Sequence, residues 1–224
     1  MAILGVSGIG FWLSHAIALS AVAYAAYSAD WSRLKNSQLQ HVFFASCLLI
    51  GLMWTMRTEV LPPISLHFFG VTTLTLMMGW RMATVGAALA VLVAGVFQGQ
   101  AWHTIATDYL ILGLVPVLLS QAVLLVVTHK LPANIFVYIF GGAFVGSMIA
   151  AIGGGLLEFT LAPTLSADAA TLALADYVVI LPLLLFGEGF LNGAFVTMLV
   201  ATRPQWILTF DDARYLYGNN ETGQ

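Results

Sequence analysis

The sequence predicts an all-α, polytopic membrane bundle of six to seven transmembrane helices, and three observations carry this prediction. Hydrophobic residues make up 60% of the chain and charged residues 8%, whereas soluble domains carry about 25% charged residues. The apolar runs are continuous, which favours helices over the alternating strands of a membrane β-barrel. Since one crossing takes roughly 20 residues, the 224 residues suffice for six or seven helices.

The apolar runs and the residues that interrupt them give the helix boundaries. We expect helices near residues 8–28, 39–56, 63–80, 82–98, 108–128, 134–162 and 175–200. Proline is tolerated at helix boundaries because its missing amide proton is not needed there, and prolines stand at or near several of them: Pro62, Pro63, Pro132, Pro163 and Pro204. Residues 1–202 would then form a single transmembrane bundle, and residues 203–224 a short polar cytoplasmic tail.

Glycines mark the remaining features of the predicted bundle. The third and fourth helices are separated only by Gly79-Trp80-Arg81, and the long sixth helix contains Gly153-Gly154-Gly155, where it can bend. Three further pairs have the small-residue spacing that allows helices to approach closely: Gly95/Gly99, Gly142/Gly146 and Gly189/Gly193.

Several classes of protein are disfavoured by the composition. The first basic residue is Arg33, so the first apolar run lacks the basic start of a secretory signal, and we expect it to be a retained span. The lone Cys47 excludes an internal disulfide and is expected to be buried. A net charge of −3 without a basic block makes nucleic acid an unsuitable partner. No HExxH, CxxC or phosphate-binding glycine loop is present, so we predict a protein that is not an enzyme and has no ATP site.

The charged residues predict the orientation in the inner (plasma) membrane. With seven spans and the amino terminus outside, only Arg57 lies outside, and the other basic residues lie on the cytoplasmic side, as the positive-inside rule requires: Arg33, Lys35, Arg81, Lys130, Arg203 and Arg214. The acidic residues at or near the outer ends are Glu59, Asp108, Glu158, Asp168 and Asp176. Such a surface attracts cations. Alternatively, these carboxylates cap helices or lie in solvated loops.

Three histidines fall in the outer third of this bundle and are candidate metal ligands. His15 lies in the first helix, His67 in the third and His103 in the loop after the fourth. Met53 and Met56 lie at a similar depth in the second helix. Imidazole suits divalent transition metals, and thioethers favour copper(I). Alternatively, these histidines are hydrogen-bonded core residues and the methionines fill gaps in the packing.

Carboxylates at the same depth could support such a site. Asp108 and Glu158 are candidates for orienting the ligating rings. Glu188 lies more than halfway through an apolar span, within Gly187-Glu188-Gly189, and must have a partner there. Two readings of Glu188 are open: it lies on an ion path, or it locks one helix to another through Asn192 and backbone groups.

Four stretches resemble the CbiM/NikM-type membrane substrate-binding subunits of cobalt and nickel energy-coupling-factor transporters. They are Ile64-Ser65-Leu66-His67-Phe68-Phe69-Gly70, Gly99-Gln100-Ala101-Trp102-His103-Thr104, Leu157-Glu158-Phe159, and Gly187-Glu188 with Val200-Ala201-Thr202-Arg203-Pro204. The resemblance implies a seven-helix subunit that captures a divalent metal from outside, with separate ATPase and scaffold subunits driving its release inward. It also implies a ligand role for His67 and for a Met-His-Ile start. This chain begins Met1-Ala2-Ile3, so we expect His15 and His103, with Met53 or Met56, to form a replacement site.

The leading functional prediction is therefore a component that binds a divalent transition metal and is moved by partner proteins. Two alternatives remain at this point. One is a membrane accessory or assembly subunit that binds a metal or another membrane protein without transport. The other is a membrane haem protein that uses two histidines.

Overall fold

The computed structural model describes residues 8–56, 58–61, 64–66, 70–161 and 167–215, with side chains in 8–56, 70–161 and 178–215. Eight helices and one hairpin make up these parts of the chain. They are α1 (Ile9–Ser28), α2 (Ser37–Thr55), β1 (Thr58–Leu61), β2 (Ile64–Leu66), α3 (Val71–Met78), α4 (Trp80–Gln98), α5 (Trp102–Lys130), α6 (Ile135–Leu161), α7 (Ala167–Thr202) and α8 (Asp212–Tyr215). Single 3₁₀ turns lie at Trp31–Lys35 and Pro204–Trp206.

Six of these helices are long and apolar enough to cross a membrane within the described residues: α1, α2, α4, α5, α6 and the Val178–Thr202 part of α7. The prediction of an all-α polytopic bundle is thereby confirmed. The first, second, fourth and sixth helices differ from their predicted bounds by two residues or fewer at each end. Asn36 accounts for the start of α2, because its side chain accepts a hydrogen bond from the Gln38 amide at 2.9 Å.

The predicted third helix at 63–80 is wrong. Its first part is replaced by an antiparallel hairpin, β1–β2, in which Thr58 pairs with Leu66, and the helix that follows, α3, is only eight residues long. Gly70 and Gly79 flank α3 with φ of 61° and 77°, a conformation that residues other than glycine rarely adopt. Continuous hydropathy indicates an apolar environment, and a buried non-helical segment shares that signal with a helix.

Helix α3 lies in the centre of the bundle, surrounded by α4, α5, α6 and α7. All eight of its side chains are buried, so other parts of the protein cover nearly all of α3. Its three threonine hydroxyls all have partners: Thr72 bonds Ser120 at 2.8 Å, Thr73 bonds Asn192 at 2.7 Å, and Thr75 bonds the Val71 carbonyl at 2.9 Å. These buried hydroxyls are tolerated in an apolar environment because each of them has a hydrogen-bond partner.

The bundle has two ends, which we name after a residue at each. At the Trp80 end, the rings of Tyr24 and Trp80 stack with centroids 6.2 Å apart, and Arg214 donates a hydrogen bond to the Thr128 carbonyl. At the Gly99 end, Gln98 donates to the Trp54 carbonyl at 2.8 Å. Basic residues of the described chain all lie in the turns and helix ends of the Trp80 end: Arg33, Lys35, Arg81, Lys130, Arg203 and Arg214. Arg57 lies outside the described residues.

Two long helices contain π-helical turns that the sequence did not predict. In α5 the turn covers Tyr109–Leu114 and ends two residues before Pro116, which cannot donate a helical hydrogen bond. In α6 it covers Tyr138–Val145. The predicted bending point at Gly153-Gly154-Gly155 lies instead in uninterrupted helix. A β-carbon on Gly153 would overlap the Leu119 side chain, so this glycine serves the contact between α5 and α6.

The segment after α7 folds back across the Trp80 end. The Leu208 amide donates to the Met77 carbonyl at 2.8 Å, and the Thr209 hydroxyl donates to the Leu76 carbonyl at 2.7 Å. The rings of Tyr138, Phe210 and Tyr215 pack together, with centroids 4.9 to 5.3 Å apart. These bonds cap the carboxyl end of α3, whose last carbonyls have no partner within the helix.

A substitution at Gly51 tests the close contact between α2 and α4. A β-carbon at this position would lie 2.8 Å from both the Ala90 carbonyl oxygen and the Val93 β-carbon. We expect Gly51→Ala to lower the free energy of unfolding by about 1–3 kcal/mol, because the backbone of α2 must move away from α4. Gly142→Ala is the matched control, since its nearest neighbouring atom would be 4.0 Å away. Thermal unfolding in detergent measures both, and equal stability of the two variants would contradict the packing.

Candidate functional site

Glu188 joins α7 to the amino-terminal end of α3. Its side chain is 1% exposed, and its carboxylate accepts hydrogen bonds from the Gly70 amide at 3.2 Å and from the Asn192 side-chain amide at 2.7 Å. A carboxylate is favourable at this position because the first amides of a helix lack partners and carry a partial positive charge. The anion is therefore placed where the helix itself stabilises it.

Asn192, one turn further along α7, makes the second connection to α3. Its side-chain oxygen accepts from both the amide of Thr73 at 3.1 Å and the hydroxyl of Thr73 at 2.7 Å. Its side-chain nitrogen donates to the Glu188 carbonyl as well as to the carboxylate. These contacts are the ones expected if Glu188 and Asn192 lock two helices together, and the ion-path reading of Glu188 remains a prediction.

A cavity of about 250 Å³ lies beside this lock, between α2, α3 and α7. Its walls are mainly apolar, and the polar side chains among them are those of Ser46, Thr73, Glu188 and Asn192. Met53 contributes the thioether of α2 to the same cavity, whereas Met56 lies just beyond the end of α2 and is 80% exposed. Of the two candidate methionines, Met53 thus shares a cavity with the buried carboxylate of Glu188, whereas Met56 is not among the residues that line it.

A second polar cluster lies at the Gly99 end, around Asp108. This carboxyl group is 8% exposed and borders a very small cavity together with Trp54, Gln98 and Gln100. Gln100 donates to Gln98 at 3.0 Å, and Gln98 in turn donates to the Trp54 carbonyl. Sequence analysis found Asp108 and missed the two glutamines. The signal for them is their position on either side of Gly99, whose φ of 61° closes the turn between α4 and α5.

The two described histidines of the predicted metal set lie at the Gly99 end. His15 is half-buried on α1, with its Nδ1 2.8 Å from the Phe11 carbonyl and its ring against the Phe11 ring. His103 is exposed in the first turn of α5. Helix α1 packs against the first turns of α5, so the helices that carry these two rings are in contact.

His67, the central residue of the predicted set, lies outside the described residues, between the end of β2 at Leu66 and Gly70. Glu158, the remaining candidate, is 6% exposed on α6 and has an interaction partner, as Asp108 does. Within the residues that the structure describes, no three or more His, Cys, Asp or Glu side chains come together in a metal-binding geometry. The predicted set of metal-ligating residues therefore remains a prediction.

These features define a multi-pass membrane protein with a polar, partly non-helical third crossing. Comparison with protein families identifies the kind of membrane protein: residues 6–206 match the family model CbiM, described as the cobalt uptake substrate-specific transmembrane region. The chain belongs to this family, whose members are transporter components and not enzymes. It is accordingly a membrane component of cobalt uptake. No curated protein and no solved structure matches the chain.

Asn192 allows the lock between α7 and α3 to be tested. We expect Asn192→Ala to lower the free energy of unfolding by about 1–3 kcal/mol, because the Thr73 amide loses its acceptor in a buried position. Thr197→Ala, on the same helix, is the control, since the Thr197 hydroxyl bonds only the Gly193 carbonyl one turn away. Denaturant unfolding in detergent compares the two variants. A loss for Asn192→Ala no larger than that for Thr197→Ala would show that the lock contributes little.

Proposed function

We propose that this protein captures a divalent transition-metal cation, of the cobalt or nickel type, at its Gly99 end, as the substrate-binding component of an uptake system in the plasma membrane. The observation that carries the proposal is the match to the cobalt uptake family over residues 6–206. The metal is the transported substrate.

Charge distribution supports an outward-facing Gly99 end. The basic residues of the described chain lie at the Trp80 end, and an excess of Lys and Arg marks the cytoplasmic side of a membrane protein. Asp108 and the start of α5 lie at the opposite end, which then faces the outside. A cation arriving from outside would meet a surface with few positive charges.

The side chains at the Gly99 end supply suitable chemistry for the capture step. We propose His67 as the principal ligand, with His15 and His103 as further imidazole ligands and Met53 or Met56 as a thioether. Neutral imidazole binds cobalt, nickel, copper and zinc, so these residues select a class of metals and not a single one. Asp108 and Glu158 are proposed to orient the ligating rings through hydrogen bonds.

Energy for transport is proposed to come from partner proteins. The sequence contains no phosphate-binding glycine loop, so a separate ATPase would be needed, together with a scaffold subunit that contacts the bundle. The Trp80 end, facing the cytoplasm in this orientation, would be the side from which the partners act.

Removal of His67 tests the site. We expect His67→Ala to weaken cobalt and nickel binding at least tenfold, since even the loss of a group that only orients a ligand weakens metal affinity by about 10–100-fold. His15→Ala and His103→Ala should each weaken binding as well. Equilibrium dialysis of the purified protein against cobalt chloride measures the affinity.

His129→Ala is the matched control for this experiment, because His129 is exposed at the last turn of α5, at the Trp80 end. Equal cobalt affinity in the unmodified protein and in His67→Ala would exclude the proposed ligand. Absence of cobalt and nickel binding, together with stoichiometric co-purification of another membrane protein and no ATPase, would favour an accessory subunit that does not transport.

Thiol labelling in intact cells tests the orientation. Ala101→Cys introduces an exposed thiol at the Gly99 end, and Ser37→Cys introduces one at the Trp80 end. We expect a membrane-impermeant maleimide to label Ala101→Cys in intact cells and Ser37→Cys only after permeabilisation. The unmodified protein is the control, because its single cysteine, Cys47, is buried. The reverse labelling pattern would contradict an outward-facing Gly99 end.

A further inference from the structure

A long apolar groove runs along the outside of the bundle between α2 and α7. Helix α2 packs mainly against α4, and α7 packs mainly against α6, so the space between α2 and α7 is closed only at its base, where Met77 of α3 lies. The groove has a volume of about 520 Å³. It is continuous with the cavity beside Glu188, since both are lined by Ser46, Leu49 and Phe195.

Apart from Ser46, the described polar side chains that line the groove lie at the Trp80 end. There it is lined by Gln38 and His41 from the first turns of α2, by Arg203 just after α7, and by Trp206. None of the described residues that line the groove is acidic. Among the described side chains the only ion pair joins Arg33 and Asp30, so the Arg203 guanidinium has no carboxylate partner there.

Arg203 and Trp206 are arranged at the membrane boundary. Arg203 directly follows the last residue of the α7 span, and its guanidinium lies 5.9 Å from the centre of the Trp206 ring. The Trp206 indole nitrogen is buried and has no hydrogen-bond acceptor among the described residues. An anionic group in this part of the groove would give Arg203 a counter-charge.

The length of the groove matches one leaflet of a bilayer. From Gln38 to Leu49 the wall follows α2 over eleven residue steps, a rise of about 16 Å. Half of a hydrocarbon core of ~30 Å is about 15 Å. Beyond the polar end, the walls are Val42, Ala45, Leu49, Phe195 and Leu199, which suit an acyl chain.

We propose that the groove between α2 and α7 holds one anionic phospholipid from the leaflet at the Trp80 end, with its phosphate at Arg203 and one acyl chain along α2 toward Leu49. Basic pockets between transmembrane helices bind anionic head groups in this manner. Met77 of α3 lies at the base of the groove, so a lipid there packs against the helix that Glu188 and Asn192 hold in place. None of the proposed metal ligands is among the described residues that line the groove itself, so this inference stands independently of the proposed metal site.

Lipid titration of the purified protein, followed by native mass spectrometry, tests the proposal. We expect phosphatidylglycerol to bind at least fivefold more tightly than phosphatidylcholine with the same acyl chains. Arg203→Gln should weaken phosphatidylglycerol binding about fivefold or more, as expected for one basic residue near an anionic head group. Arg81→Gln is the matched control: Arg81 is also an exposed arginine at the Trp80 end, stacked on Trp80 at 5.1 Å, but it does not line the groove.

A second pair of variants tests the acyl chain. Ala45→Phe places a ring in the exposed wall of the groove and should reduce binding of phosphatidylglycerol, whereas Ala16→Phe, on the exposed face of α1, should not. Equal losses for Arg203→Gln and Arg81→Gln, or equal binding of the two lipids, would overturn the proposal. Unchanged lipid binding in both Arg203→Gln and Ala45→Phe would overturn it in favour of another occupant, such as a partner's transmembrane helix. If Ala45→Phe does not fold, the comparison of Arg203→Gln with Arg81→Gln decides alone.

Discussion

The rest of this structure depends on one constraint: the backbone amides and carbonyls at the two ends of α3 need hydrogen-bond partners from elsewhere in the chain. A helix of eight residues leaves most of its end amides and carbonyls without partners inside the helix, and the centre of a membrane bundle offers little water to replace them. Glu188 and Asn192 accept from the first amides, and the segment after α7 donates to the last carbonyls. The carboxyl-terminal third of the chain thus fixes the third crossing at both ends.

The non-helical hairpin that precedes α3 also packs against helices of the bundle. Irregular backbone is tolerated inside a membrane only where protein or a water-filled cavity surrounds it, and here the hairpin β1–β2 lies against α6 and α7. In the sequence, the stretch that contains His67 lies between the hairpin and the anchored end of α3. Rigid elements next to a binding segment reduce the conformational entropy that is lost when a ligand binds. This property suits the proposed capture of a metal at the Gly99 end.

The sequence predicted the bounds of α1, α2, α4 and α6 to within two residues, missed the starts of α5 and α7 by six and eight residues, and failed at the buried α3. The bounds of α1, α2, α4 and α6 follow from apolar runs with clear interruptions, whereas α3 is apolar because it is buried, and hydropathy cannot separate that case from a span. The π-helical turns depend on tertiary packing and leave no periodic signal. At the site, Glu188 was identifiable because a carboxylate in an apolar run requires a partner. Its partner Gly70, 118 positions earlier in the chain, was not, since a backbone amide carries no sequence signal.

Cobalt accumulation by cells is the most direct test of the proposed role. Cells that lack other cobalt uptake systems would be given the ATPase and scaffold partners, with and without this protein, and their content of radioactive cobalt would be measured over time. The proposed function predicts accumulation that requires this protein and that His67→Ala abolishes. Accumulation at the same rate in its absence would contradict a role in cobalt capture.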